Sequence, residues 1–482
     1  MNVSVNRNLS DRLQADPRLD RGAGWVLAER YAAVRAATLA LAEPLSEADA
    51  QVQSMPDASP AKWHLAHVTW FFETFVLERF ERGFAPFHPA YRVLYNSYYE
   101  GVGARHPRPE RGLVTRPSLA EVRAWRADVD ARIAALLRDP PPDAAVLVEL
   151  GLQHEQQHQE LLLTDLLHAF SCNPLAPAYR EPEALSGRRG LGVVATGGPD
   201  AAARTRGPEG TVRISGPEGA VRPAGAARWL PFEGGMVEIG HALHEHAVFA
   251  FDNESPRHRV FLRPYVLADR PVTQREWLAF IEDGGYRDPR WWQSAGLDVA
   301  RTRGWEAPMH WRRGEAGWSV FTLRGEGPLE PDAPVSHLSW YEADAYARWL
   351  GAQCPGEPPP RLPLESEWEH GVAQQGPAAI AAGRFVEGGA LRPLPAPAGE
   401  GLLQAFGDVW QWTRSDYAPY PGFRPWVGAV GEYNAKFMSG QYVLRGASCA
   451  TPRTHARLTY RNFFPPDARW QFSGLRLARD LD

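Results

Sequence analysis

The spacing of apolar and polar positions divides the chain into a periodic front and an aperiodic back. "WVLAERYAAVRAATLALA", Trp25 to Ala42, repeats apolar residues at the spacing of an amphipathic helix and breaks at Pro44. "SPAKWHLAHVTWFFETFVLERF" opens on Ser59 and Pro60, a helix-start signal. "SLAEVRAWRADVDARIAALL" starts at Ser118 with Glu121 placed for a capping box. A fourth segment runs from about Asp143 to Phe170. Four such segments, with one extended connection over residues 84–117, predict a helix bundle.

From about residue 180 to 227 the chain is rich in Gly, Pro, Ala and Arg and poor in large apolar residues, which predicts a linker or insertion. Beyond it come short apolar runs, many tryptophans and turn pairs. Only "TQREWLAFIEDGG" and "WYEADAYARWLGA" stand out as helices. This pattern predicts an α+β domain shaped by aromatic packing and long loops. The boundaries read as 20–178 for the bundle, 179–227 for the linker and 228–482 for the second domain.

Composition changes this picture little. A length of 482 residues, 44% hydrophobic and 23% charged, fits a soluble protein of two or three domains. A net charge of −5 offers no footprint for nucleic acid or an anionic membrane. The polar amino terminus lacks a signal-peptide core, and no run is long enough to span a bilayer. Three cysteines, Cys172, Cys354 and Cys449, make no disulfide framework, so a reducing cytoplasm is expected.

The candidate chemistry lies in "GLQHEQQHQELLLTDLLH", Gly151 to His168. On a helix His154 and His158 share a face and can reach one ion. Leu147, Leu150 and Leu161 lie on nearly the same face, so these imidazoles point into the bundle, where they need partners. HEQQH also satisfies the H-E-x-x-H zinc-protease pattern, with Glu155 as general base, but the extension carrying a third histidine is absent. "WHLAHVTW" offers His64 and His67 as a third ligand from another helix. A face of three histidines without a carboxylate suits Fe(II) as well as zinc and leaves positions open.

"SMPDASPAKWHLAHVTWFFETFVL", "YNSYYEGVG", "RPERGLVTRPS" and "HEQQHQELLLTDLLHAF" resemble the sulfoxide synthases of ergothioneine biosynthesis. In the second half "PVSHLSWYEADAYARWLGA", "RLPLESEWEHG", "FGDVWQWTRS", "VLRGASCATPRTHARLTYRNFF" and "FSGLRLARD" carry the same resemblance. It implies an amino-terminal DinB-like four-helix bundle followed by a formylglycine-generating-enzyme (C-type-lectin-like) domain. It also implies Fe(2+) held by His67, His154 and His158, with His64 a neighbour rather than a ligand. The substrates would be hercynine, O2 and a thiol, cysteine or γ-glutamylcysteine, joined to give a hercynyl sulfoxide.

The same resemblance puts Gln157 on the hercynine imidazole and Asn462 on its carboxylate, with Phe463 and Phe464 as an aromatic wall for the trimethylammonium. Tyr98 and Tyr99 would offer a phenol near the metal as proton donor, and Arg108 and Arg111 would grip the carboxylate of the thiol substrate. Cys449 stands alone where formylglycine-generating enzymes act through two cysteines, and reads as a buried structural thiol. The selenoneine synthases, which take a selenosugar (a selenol donor) in place of the thiol, resemble the chain throughout and are the nearest alternative. A zinc metalloprotease and a non-catalytic lectin-like binding module are more distant ones.

Overall fold

The computed structural model describes residues 21–180, 225–242, 249–315 and 317–481, with side chains from Val26 onward. The expected linker therefore falls largely outside the described residues. Its first residue, Tyr179, donates from its hydroxyl to the Leu41 carbonyl at 2.5 Å and from its amide to the Leu323 carbonyl at 3.0 Å. It thus touches both halves of the molecule. On the far side, the Gly225 carbonyl already accepts from Arg270 at 2.8 Å.

The four predicted helices are α1 (Arg21–Ala42), α2 (Ala61–Phe71), α3 (Leu119–Leu136) and α4 (Pro142–Ser171). Helix α2 runs on through a π-helical turn, Phe72–Leu77, into a last short turn at Glu78–Phe80. The Ser118–Glu121 capping box forms as expected. Ser59 makes no side-chain cap; its hydroxyl accepts from Arg111 instead. Helix α4 packs against α1 and α2, and α2 against α3. Gly151 makes one of these contacts possible, because a Cβ there would lie 2.5 Å from the Phe72 ring.

In the second half α5 (Gln274–Glu282) and α6 (Trp340–Gln353) are the two predicted helices, with Thr273 and Ser339 as their N-caps. A third, α7 (Glu365–Ala373), follows. The strands are short. β1 (Trp229–Phe232) pairs with β2 (Tyr265–Ala268). Four others build the sheet that matters for the site: β3 (Trp410–Asp416), β4 (Tyr442–Gly446), β5 (Asn462–Phe464) and β6 (Ser473–Gly474). Their order is β5-β4-β3-β6, antiparallel except for the parallel β3–β6 pair. Near the carboxyl end, β7 (Ala478–Asp480) pairs with β2. Trp277, Trp368 and Trp412 are among the largest fully buried side chains, so the aromatic excess supplies core. No helix among the described residues is long and apolar enough to cross a membrane.

Candidate active site

Helix α4 is polar on faces that a solvent-exposed helix would turn outward, yet nearly all of them are covered. The stripe of His154 and His158 turns toward α2, where His67 meets it. One ligating atom from each of the three imidazoles lies within 4.8 Å of the others. Their ring centroids are 4.6–4.9 Å apart. His67 is stacked between Trp63 and Trp70, at 4.5 and 5.4 Å. Its Nδ1 lies 2.6 Å from the Tyr95 carbonyl, which can only accept, so Nδ1 carries the hydrogen and Nε2 keeps its lone pair. That Nε2 is buried and has no partner. A buried acceptor without a donor, facing two further imidazoles, fits a metal ion.

Burial, and then the neighbouring His154, push His67 well below the usual histidine range. Burial likewise lowers His154, to about 3, and His158 is held low by burial, His154 and His67. All three imidazoles are neutral at pH 7, which is the form that binds metal.

Glu155 does not serve this centre. It is fully buried and accepts from Thr38 at 2.6 Å, Arg35 at 2.9 Å and Arg126. Burial alone would raise its carboxyl, but the Arg126 and Arg35 guanidiniums outweigh it and hold the group down at about 2. The would-be protease base is thus a structural ion in the bundle core. His64 lies beside the triad as a neighbour, with Nδ1 2.8 Å from His158 Nδ1 and Nε2 3.0 Å from Asp165.

A cavity of about 360 Å³ opens from His158 into the space between the two halves. Gln153, Gln156, Gln157 and Glu160 form one face of α4, and this face joins the second domain. Gln153 accepts from His455 at 2.8 Å, Gln156 donates to Thr454 at 2.5 Å and Gln157 donates to the Tyr460 hydroxyl at 2.5 Å. Glu160 accepts from Trp410 at 2.8 Å, Ser448 at 2.5 Å and Thr451 at 2.6 Å.

The expected substrate residues meet at this cavity: Gln157, Arg108, Arg111, Asn462, Phe463 and Phe464 all line it. Arg111 is buried, lies 3.4 Å over the Trp63 ring, and keeps its Nε without a partner. Burial and the nearby Arg108 lower its guanidinium to about 9. Arg108 is more exposed and donates to the Asp57 carbonyl. The Asn462 side-chain oxygen accepts from the Phe463 amide at 2.9 Å, and Phe463 stacks on Tyr417 at 4.0 Å.

The two tyrosines divide. Tyr98 lines the cavity, whereas Tyr99 packs behind it against Trp70 and Phe75. The tyrosine ring that packs on the triad is neither of them but Tyr433, 5.5 Å from His154 and 6.2 Å from Tyr98. Burial, then Tyr98 and Tyr460, push its phenol well above the usual range, so it stays protonated. Tyr433 comes from a loop whose Glu432 accepts from the amides of Glu100 and Gly101, at 2.9 and 2.8 Å. The sequence assigns no role to Tyr433 or Glu160, whereas Tyr460 opens the YRNFF stretch whose resemblance implies contact with hercynine. A buried helix face of Gln153, Gln156, Gln157 and Glu160 at three-and-four spacing is the signal for Glu160; Tyr433, on a loop, carries none. Cys449 is buried and unpaired, with its thiol pushed up by burial, Asp408 and Glu160.

Comparison with known proteins follows the same division. Residues 30–162 match the DinB superfamily, and residues 223–481 match the sulfatase-modifying factor enzyme 1-like domain. A formylglycine-generating enzyme of Streptomyces coelicolor is 30% identical over 52% of this chain and 88% of its own length. The hercynine oxygenase of Mycolicibacterium thermoresistibile is 33% identical over 95% of both chains. That of Mycolicibacterium smegmatis is 34% identical over 94% of this chain and 99% of its own. Because one-third identity extends over the bundle as well as the second domain, the chain belongs to the hercynine oxygenase family.

Proposed function

We propose that the protein is an iron(II)- and O2-dependent sulfoxide synthase of ergothioneine biosynthesis, joining hercynine to a thiol that bears a carboxylate. One observation carries the reading: three neutral imidazoles, from two helices, converge at the end of a cavity walled by aromatic and amide groups of the other half. The relatives named hercynine oxygenase support the substrate.

His67, His154 and His158 would hold the ion. Iron(II), when bound, would supply one-electron chemistry and a common site for substrates and O2. In the overall reaction an imidazole C–H and an S–H bond break and a C–S bond forms. One oxygen atom of O2 goes to sulfur, and the other leaves as water with both hydrogens.

The chain's own residues bind, orient and supply a proton. Arg111, buried and short of a partner at Nε, suits a donor carboxylate, with Arg108 at the cavity rim. This need favours cysteine or γ-glutamylcysteine over a selenosugar. Gln157, held by the Tyr460 hydroxyl, faces the hercynine ring, and Asn462 and Phe464 line the wall for its carboxylate and trimethylammonium. Tyr433 is the phenol placed to deliver a proton at its hydroxyl, with Tyr98 beside it. This assignment replaces Tyr99, whose ring lies behind the cavity wall.

Anaerobic Fe(II) loading, then O2 with hercynine and each donor in turn, tests the reading. Mass spectrometry should show a hercynyl sulfoxide with cysteine or γ-glutamylcysteine. A product with the selenosugar alone would reassign the donor, and no iron-dependent O2 uptake with any donor would refute the proposal.

A further inference from the structure

We propose that His64 is a positioning residue of the metal centre, the middle member of a relay that runs from the Ser59 amide through Asp165 and His64 to His158. The inference rests on the reading of His67, His154 and His158 as metal ligands. It goes beyond that reading by assigning a task to a histidine outside the triad.

The distances define the relay. The Ser59 amide donates to Asp165 Oδ2 at 2.8 Å, His64 Nε2 lies 3.0 Å from the same oxygen, and His64 Nδ1 lies 2.8 Å from His158 Nδ1. His64 and Asp165 are 2% and 6% exposed, so little water competes for these bonds. Each donor then follows from the one before. Asp165 Oδ2 already accepts from the Ser59 amide, so His64 Nε2 is placed to donate to it. With its hydrogen on Nε2, His64 accepts at Nδ1, and His158 donates from its own Nδ1. The lone pair of His158 is thereby confined to Nε2, the nitrogen free to turn toward His67 and His154.

The two other imidazoles of the triad are held differently. His67 has its hydrogen fixed directly by the Tyr95 carbonyl, while His154 Nδ1 has no partner. His158 alone is oriented by a second imidazole. The sequence spacing makes the arrangement possible: His154, His158 and Asp165 fall within about 40° of one another around α4 at 100° per residue. They therefore form one stripe facing α2, on which His64 and His67 lie three residues apart and face the same way.

A partner of this kind typically contributes about 10–100-fold to metal affinity. The test titrates the full metal-free chain anaerobically with Co(II) and follows its ligand-field absorption, a readout independent of turnover. His64→Leu should weaken Co(II) binding by about 10–100-fold and shift the bands. His64→Gln can accept from His158 through its oxygen and donate to Asp165 through its nitrogen, and should restore affinity to within about 3-fold of wild type. Wild-type affinity and spectrum in His64→Leu would overturn the relay. So would His64→Gln losing Co(II) as completely as His154→Leu, because His64 would then be a ligand itself. Should His64→Leu fold poorly, Asp165→Leu carries the same test: it keeps the imidazole, removes its acceptor, and should cost about 3–10-fold. Unchanged affinity there would again overturn the relay. If the wild-type chain takes neither Co(II) nor Fe(II), the metal reading itself fails, which is a separate outcome.

Discussion

The bundle and the second domain contribute to the cavity in opposite ways. The bundle presents its imidazoles from two helices whose buried faces are fixed by packing: Trp63 and Trp70 sandwich His67, and Gly151 lets α4 approach Phe72. The second domain presents Tyr433 and Tyr460 from loops and Asn462 from an edge strand, and Gln157 of α4 fastens Tyr460. Metal ligands need tight mutual geometry, which regular helices supply. Substrate walls need shape, and loops vary it without disturbing the metal half. The difference predicts graded damage: changes at the bundle's metal-binding imidazoles should remove chemistry outright, and changes in the wall should redistribute it.

The largest effect is expected at the triad. His154→Ala or His158→Ala should leave purified protein without bound iron and without O2 uptake, as read by metal analysis and an oxygen electrode. Iron retained at wild-type stoichiometry would break the comparison at its base. Next comes Tyr433→Phe, which removes only the phenolic proton. Carbon–sulfur product should fall by about 10²–10⁴-fold in kcat with KM little changed. Tyr98→Phe should cost less; the reverse order would move the proton donor to Tyr98.

Arg111→Ala should raise KM for the thiol donor by about 10–100-fold, the worth of a charge-assisted hydrogen bond, and leave hercynine KM alone. Arg111→Lys should rescue little of it, because an ammonium cannot make the two-pronged contact. Equal changes in both KM values would mean that Arg111 merely shapes the cavity.

The smallest effect on turnover is expected from Glu155→Gln, despite its place between two metal histidines. It should destabilise the fold by about 3–5 kcal/mol, because buried Arg126 loses its carboxylate partner and Arg35 keeps only Asp130, while folded molecules keep iron and activity. The sign with pH follows from a folded carboxyl held near 2 against an unfolded value of about 4.3. Its contribution is fully present above about pH 4.3 and is lost as pH falls toward 2. The stability gap between wild type and variant should therefore close over that interval in denaturant titrations. Abolished turnover with intact folding would instead return Glu155 to the role of general base.

The contrast also explains what the sequence disclosed. His154 and His158 were legible because helical periodicity converts a spacing into a shared face, and Ser118 marks a helix start by chemistry that acts within four residues. His64 and His67 could be narrowed to one helix by the same periodicity, but the choice between them came from resemblance, since both are buried beside α4. Tyr433 was not legible. It reaches His154 only after the chain has folded across almost 280 residues, and no local pattern encodes such a contact. HEQQH misleads for a related reason: five residues cannot show that Glu155 turns toward Arg35 and Arg126 instead of the imidazoles.

The face of α4 that carries Gln153, Gln156, Gln157 and Glu160 has a further consequence. Those side chains bond directly from the bundle to the second domain. A cleavage site engineered between residues 180 and 225 should therefore leave two fragments that migrate together and still enclose the cavity. Swapping Glu160 for an apolar residue should weaken their association.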